Sequence, residues 1–381
     1  MKILFYIARQ TLGEPLTQQF ADVLQAAVGR QETVAAATTS AQLMEDVAQA
    51  APDIVHFVGC PEGSEQRIMA EAIRRKLPVV VSALSRLMPW CRGAGFSARL
   101  KTAQQADALH AWSLLEEAEM RKLSGLQRIQ MVVNSVVTHT VTPEQMASRM
   151  IVFYQKVIDS NTFRLMNATE KKAETLLLRK SMERDEYSYH LTADDISMLQ
   201  GLSDDSWRKI IIHATDEDIL PLLRQAADEL QLEGINTPTD SVKRFPQKIR
   251  KPQGELSTTE LIAKNHLTKT VFDNLRVDEK PSPLEMEISV LLYNMHHLLT
   301  GGQPLSRHHL VQAYTLLRFN DYDEDKLSRM LSRLKLDRFA ARLLCVLDDT
   351  FVMGEGFSPL QPLDDKATDR MRQTLADLNI Q

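Results

Sequence analysis

Short apolar, β-branched runs alternate with amphipathic stretches over the first 135 or so residues. The clearest case is Pro52-Asp53-Ile54-Val55-His56-Phe57-Val58-Gly59-Cys60, then a helical span, then Leu77-Pro78-Val79-Val80-Val81-Ser82. Continuous apolar runs of this kind mark strands buried on both faces, and a parallel pair needs a crossover, normally a helix. The same pattern predicts strands at Lys2–Ala8, Thr33–Ala37, Ala106–Trp112 and Arg128–Val133. It predicts helices at Pro15–Val28, Ser40–Ala50, Ser64–Lys76 and Leu114–Leu123. Residues 83–107 read as irregular. The expected fold class is therefore α/β, a doubly wound parallel sheet over residues 1–140. Ligands of such sheets bind beyond the carboxyl ends of the strands. That points to His56–Cys60 and Ser82–Trp90.

The periodicity then becomes helical. Thr142-Pro143-Glu144 opens a helix with an N-cap, a proline at the first helical position and an acid in the first turn. Further helices are expected at Leu176–Met182, Ser206–His213, Asp216–Leu232, Ser257–Lys264, Leu284–Leu299, Ser306–Leu317, Glu324–Leu334 and Asp337–Leu347. The resulting division is a helical segment over 141–232, a linker or long loop over 233–256, and a mainly α-helical C-terminal domain over 257–381. The linker carries Lys243, Arg244, Lys248, Arg250 and Lys251. These form either a phosphate-binding patch or solvated charge on a connector.

Charge sharpens this picture. Residues 1–168 hold 17 Lys+Arg and 15 Asp+Glu, a balance of +2, which leaves 28 and 35, or −7, for the rest of a chain whose net charge is −5. That balance excludes a dedicated nucleic-acid binder. It makes the first half the likelier host of an anionic ligand and the acidic helical half a surface for a protein partner. Three cysteines, Cys60, Cys91 and Cys345, suggest a reduced compartment without a disulfide framework. No apolar run approaches the ~20 residues of a transmembrane helix. The expected location is cytoplasmic, free or at the inner face of the membrane.

Motifs of common chemistries are missing. No G-x-G-x-x-G follows a strand, there is no Walker A sequence, and no G-x-S-x-G elbow occurs. His296-His297 and His308-His309 do not hold metal-ligand spacing, because adjacent helical residues diverge by roughly 100°. Asp321–Asp325 fails as a calcium loop: Lys326 and Ser332 stand where glycine and glutamate are needed. Asp321 or Asp323 as a helix cap explains it better. No metal site is expected. His56 is either a satisfied core histidine or a ligand-facing one near a strand end. Trp90 and Trp112 are either packing residues or an apolar platform for a sugar.

Certain segments also resemble a family. The 52–60 and 77–82 runs, Leu87-Met88-Pro89-Trp90, Ser113–Glu117 and Arg128-Ile129-Gln130-Met131-Val132-Val133-Asn134-Ser135-Val136 are similar, in order and spacing, to the first Rossmann-like lobe of family-four, GT-B type glycosyltransferases. The similarity covers roughly residues 1–160. It implies a Rossmann-like domain in bacterial surface-polysaccharide synthesis, with a nucleotide-sugar donor and a glycan or lipid-linked acceptor. Its implied ligand-binding residues are His56, Gly59, Ser82, Arg86, Trp90 and Asn134, with Arg86 placed to meet the diphosphate. The sequence departs from the family at Ser85-Arg86, where histidine–glycine is usual, at Ser135, where glycine is usual, and throughout the helical second half, where the donor-binding lobe belongs. Gly354-Glu355-Gly356 lacks the second glutamate of the donor motif. The alternative is a non-catalytic module that binds a partner protein through its helical domain.

Overall fold

Six parallel strands form the sheet that the apolar runs predict. In the computed structural model the described residues are 1–9, 14–38, 51–123, 125–126, 128–138, 140–239, 243–245, 266–301, 305–353 and 358–374. The strands are β1 (Lys2–Ile7), β2 (Thr33–Thr38), β3 (Ile54–Val58), β4 (Val79–Ser82), β5 (Ala108–Ala111) and β6 (Ile129–Met131). Their order is β2-β1-β3-β4-β5-β6, every pair parallel. The direction of winding thus reverses between β1 and β3, so their carboxyl ends flank a crevice.

Helices cover both faces. Ile3, Phe5 and Ile7 of β1 meet Phe20 and Leu24 of α1 (Pro15–Gly29), while Leu4 and Tyr6 point to the opposite core with Met69 of α2 (Glu65–Arg74). That second core also takes Ala103 of α3 (Phe96–Gln105) and Met120 of α4 (Leu114–Arg121). The stretch 83–107, expected to be irregular, contains α3. Its glycine-flanked, weakly patterned sequence shows little amphipathic stripe, and Gly95 enters it at φ +81°. The expected helix at Ser40–Ala50 lies outside the described residues.

After the short α5 (Ser135–Thr138) comes α6 (Pro143–Asp159). Thr142 accepts from the Gln145 amide while Gln145 returns a bond to the Thr142 amide, a complete capping box. Met146, Met150, Phe153, Tyr154 and Val157 of α6 all lie in the same core as β1 and α1. The first compact unit therefore runs through α7 (Thr162–Leu165), to Leu165 rather than to 140. Residues 243–245 return to it. There Phe245 is buried against Phe153 in a T-shaped contact, its amide donates to Ser160 Oγ at 2.9 Å, and the Lys156 ammonium lies 4.2 Å from its ring centroid. Part of the expected linker is thus core of the first unit, and most of its basic run lies outside the described residues.

The second unit, 166–239 with 249–381, contains only helices and one short 3-10 turn among its described residues. They are α8 (Ala168–Ser181), α9 (Ala193–Gln200), α10 (Asp204–Asp216), α11 (Leu220–Glu229), α12 (His266–Asp278), α13 (Pro283–Thr300), α14 (Arg307–Arg318), α15 (Glu324–Arg333), α16 (Asp337–Phe351) and α17 (Lys366–Thr374). Side-chain caps at Asn167, Thr192, Ser203, Ser282, Ser306 and Asp323 define their starts. One large core holds Trp207, Ile211, Tyr314, Leu343 and Phe351 together. Glu174, fully buried, holds His213 Nδ1 at 2.8 Å and Arg307 Nη1 at 2.9 Å. The expected helix at Ser257–Lys264 and the Gly354-Glu355-Gly356 segment lie outside the described residues. No helix among the described residues is long and apolar enough to cross a membrane.

Phe245→Ala should empty a ring-sized space beside α6 and cost the first unit about 3 kcal/mol. Denaturant unfolding followed by Trp90 and Trp112 fluorescence, with Trp207 replaced by Phe, measures it; a change below about 1 kcal/mol would show that the returning segment is not core.

Candidate functional site

His56 sits at the third position of β3, and its ring is fully buried. Two strands away His110 is equally buried, and Ser82 of β4 lies between them. His56 Nδ1 is 2.6 Å from Tyr154 Oη of α6, and His56 Nε2 is 2.7 Å from Ser82 Oγ. Ser82 Oγ is 2.7 Å from His110 Nδ1, and His110 Nε2 is 3.0 Å from the Val132 carbonyl.

The last contact fixes all the others. A carbonyl oxygen only accepts, so His110 Nε2 carries the proton and, in the neutral ring, Nδ1 accepts. Ser82 then donates to His110 Nδ1 and accepts from His56 Nε2–H, which leaves His56 Nδ1 to accept the Tyr154 hydroxyl proton. Burial lowers both imidazole pKa values, His110 to about 4 against the pull of its Val132 hydrogen bond, and His56 well below its ordinary value with His110 adding to the effect. Burial also raises Tyr154 well above the ordinary phenol range. The chain is neutral, directed and closed at both ends by buried groups. Of the two readings of His56, this is the satisfied core histidine.

Beyond these strands, at the carboxyl edge, polar groups are likewise engaged. Gly59, at φ +100°, donates its amide to the Ser82 carbonyl at 3.0 Å. Glu65, at the start of α2, accepts from the Tyr6 hydroxyl and the Arg9 amide through Oε1 and from the Glu62 amide through Oε2. Arg86 pairs with Glu14. Arg99, nearly buried, pairs with Glu62 at 3.0 Å and donates to the Cys91 carbonyl. Asn134 is buried; its Oδ1 accepts from the Val136 amide at 2.8 Å, and its Nδ2 has no acceptor among the described residues.

A strained turn follows β4. Leu84 and Ser85 are consecutive non-glycine residues at φ +49° and +64°, a conformation that costs roughly 1–2 kcal/mol per residue. Glu116 of α4 pins it: one carboxylate oxygen accepts from the Ser85 amide at 2.5 Å and the other from the Trp112 amide at 2.9 Å. The Trp112 indole closes the loop by donating to Ser85 Oγ at 3.1 Å. Burial lifts the Glu116 carboxyl to about 7, more than its two amide donors pull it down.

Large apolar side chains are exposed at this edge, beside the exposed Arg9 and Arg92. Leu16 follows β1, Trp90 follows β4, Leu114 and Leu115 follow β5, and Val137 follows β6; Trp90 is 68% exposed and Leu114 70%. Parallel strands put all these positions at one edge, spanning about 19 Å from β1 to β6 at the usual inter-strand spacing. Of the six sequence-predicted residues, the structure joins His56, Ser82 and Gly59 through hydrogen bonds, pairs Arg86 with Glu14, buries Asn134 apart from them and leaves Trp90 in solvent. His110, Tyr154, Glu65 and Glu116 escaped the sequence reading. His110 had a signal, since it interrupts an apolar strand at the same depth as His56.

The histidine pairs of the second unit have structural roles: His309 occupies the third position of α14 in a capping box with Ser306, and the His296 ring packs on Phe339. No group of three metal-ligating side chains occurs among the described residues. Compared with family models, curated proteins and solved structures, the chain shows no match.

Ser82→Ala should leave His56 Nε2–H and His110 Nδ1 both without a partner, costing about 2–6 kcal/mol in chemical denaturation. A cost under about 1 kcal/mol would mean that the chain is not formed.

The pH dependence has two opposing parts. His110 binds its proton at about 4 when folded but at 6.5 when unfolded. Its stabilisation, roughly 3 kcal/mol, is present above 6.5 and lost as pH falls toward 4. Glu116 works the other way: its folded value of about 7 exceeds its ordinary 4.5. Its contribution is therefore complete below 4.5 and lost as pH rises through 7. Glu116→Gln should remove the second slope and steepen the gain in stability from pH 4.5 to 6.5. Unfolding curves across pH 4–8 decide; unchanged slopes in the variant would refute the assignment.

Proposed function

We propose that this protein is a non-catalytic recognition module whose first unit, a Rossmann-like lobe of the glycosyltransferase type, binds a protein partner at the carboxyl edge of its sheet. The strand order, with its reversal between β1 and β3 and cover on both faces, supports the Rossmann-like reading. One observation carries the function. His56, Ser82 and His110 are bonded to one another and Arg86 and Arg99 to carboxylates, while the large apolar side chains Leu16, Trp90, Leu114, Leu115 and Val137 stand in solvent at the strand ends.

A catalyst for sugar transfer needs a cation for the departing diphosphate and a free base near the acceptor. Arg86 and Arg99 are neutralised by Glu14 and Glu62, and His56 is closed off by Tyr154 and Ser82. The described residues of the second unit are helical, which favours the module over a two-lobed transferase. The choice of a protein over a lipid surface follows from the same charges. Membrane docking draws on a cluster of lysines and arginines beside the apolar face; with Arg86 and Arg99 paired, the exposed Arg9 and Arg92 are too few for that, and exposed Trp and Leu suit a protein interface.

Thermal unfolding with UDP-, GDP- and dTDP-sugars should show no saturable stabilisation. A saturable shift with any of them would overturn this reading and restore a glycosyltransferase. The Trp90→Asp/Leu115→Asp variant should unfold at the wild-type temperature yet lose the proteins that cross-link to this edge in cells of the source organism. Equal cross-linking by both would remove the edge as the docking surface.

A further inference from the structure

The opposite edge of the sheet carries a different chemistry. At the amino ends of β5 and β6 a cleft of about 380 Å³ is lined by Gln104, Asp107, Gly125, Leu126, Arg128 and Asn161 among others, a size at the lower end of small-molecule sites. Arg128 is held from both sides. Its carbonyl accepts from the Leu109 amide at 2.8 Å, which fixes its backbone to the sheet, and its Nη1 donates to Asn161 Oδ1 at 3.1 Å. Asn161 is itself oriented: its Nδ2 donates to the Val157 carbonyl at 2.7 Å, so its oxygen must face the guanidinium.

No carboxylate lies within ion-pairing distance of Arg128 among the described residues. Asp107, the one acid lining the cleft, is engaged elsewhere, its Oδ2 accepting from the Val79 amide and from Arg164 Nη2, both at 2.7 Å. A second guanidinium thus stands beside the first, and its buried Nε finds no acceptor among the described residues. Two cations and one carboxylate leave one positive charge unmatched. The Arg128 pKa is lowered, by burial first and by Arg164 as well, against the pull of Asp107. Burying part of a guanidinium beside a like charge is unfavourable unless an anion completes it. At Gly125, φ is +81°, a conformation that favours glycine, and the Gln104 side chain packs against it.

We infer that the cleft at the amino ends of β5 and β6 is a binding site for a small phosphate- or carboxylate-bearing molecule, which Arg128 receives through the guanidinium edge left free by Asn161. A planar guanidinium suits both oxyanions through paired N–H donors. The site is independent of the partner surface at the carboxyl edge.

The test uses the full chain and inorganic phosphate, with acetate as the carboxylate probe and sodium chloride at matched ionic strength as the control. The unfolding midpoint of the wild type should rise saturably with phosphate or acetate beyond the chloride control. Arg128→Gln, which retains a donor for Asn161, should weaken that response by about tenfold or more, the scale of losing a charge-assisted hydrogen bond. Asn161→Asp supplies Arg128 with its own carboxylate, and should abolish the response while keeping the guanidinium partnered. Arg86→Gln, at the far edge, should respond as wild type. The inference is overturned if the wild-type response equals that to chloride, or if Arg128→Gln and Asn161→Asp both bind within about twofold of wild type.

Discussion

The hydrogen-bond chain from Tyr154 through His56, Ser82 and His110 to the Val132 carbonyl is the constraint on which the first unit depends. It crosses β3, β4 and β5 on one face and reaches α6 on one side and the end of β6 on the other. A strand slipped by one residue would turn its member of the chain to the opposite face. Apolar runs such as Val79-Val80-Val81 specify burial on both faces but not register, so the polar members supply what the apolar ones lack. Because Tyr154 belongs to α6, the same chain selects which helix covers that face. The first unit therefore extends past residue 140 to include α6 and the returning Phe245.

Closing the chain has a chemical consequence. A histidine that accepts at one nitrogen and donates at the other, fully enclosed, has no lone pair or proton to offer a substrate. The same logic runs along the carboxyl edge. Glu65 gathers the Tyr6 hydroxyl and two backbone amides, and Glu116 gathers the two amides that hold the turn at Leu84 and Ser85 in its left-handed form. These carboxylates replace the glycines or ligand atoms that such strand ends often need. The edge is hydrogen-bonded inside and presents large apolar side chains outside. Strain at a strand end often marks function, and here it delivers Leu87 and Met88 into the core and Trp90 into solvent.

Much of this was legible from residue patterns, and the reasons differ by feature. The strands were readable because each is a short, largely apolar run, β-branched in β3 and β4, with small or turn-forming residues at its end. The start of α6 was readable because Thr142, Pro143 and Glu144 each satisfy a separate requirement of a helix N-terminus. Helix α3 was not, since its residues carry no continuous apolar stripe and its burial is decided by the sheet beneath. His56 and Ser82 stood out as polar residues at strand ends, but their roles depended on His110 and Tyr154, 54 and 98 residues away from His56 along the chain. Sequence spacing cannot show which of two buried polar residues face each other across a sheet. Register can.

The two edges of one sheet thus end up with opposite characters for a common reason. At the carboxyl edge, Glu14 and Glu62 pair with Arg86 and Arg99, while Glu65 and Glu116, from the helices that follow, take up the backbone donors near them. Large apolar side chains are left over. At the amino edge, Arg128 at the entry to β6 and Arg164 of α7 converge on a single carboxylate, Asp107, already shared with the Val79 amide. What is left over there is positive charge. A chain whose first half is almost neutral in total can therefore still present a local cation, because pairing is decided by which residues the strand order brings together. Net charge placed any anion preference weakly in the first half of the chain. The geometry narrows it to one guanidinium, held by Asn161 and open on its other side.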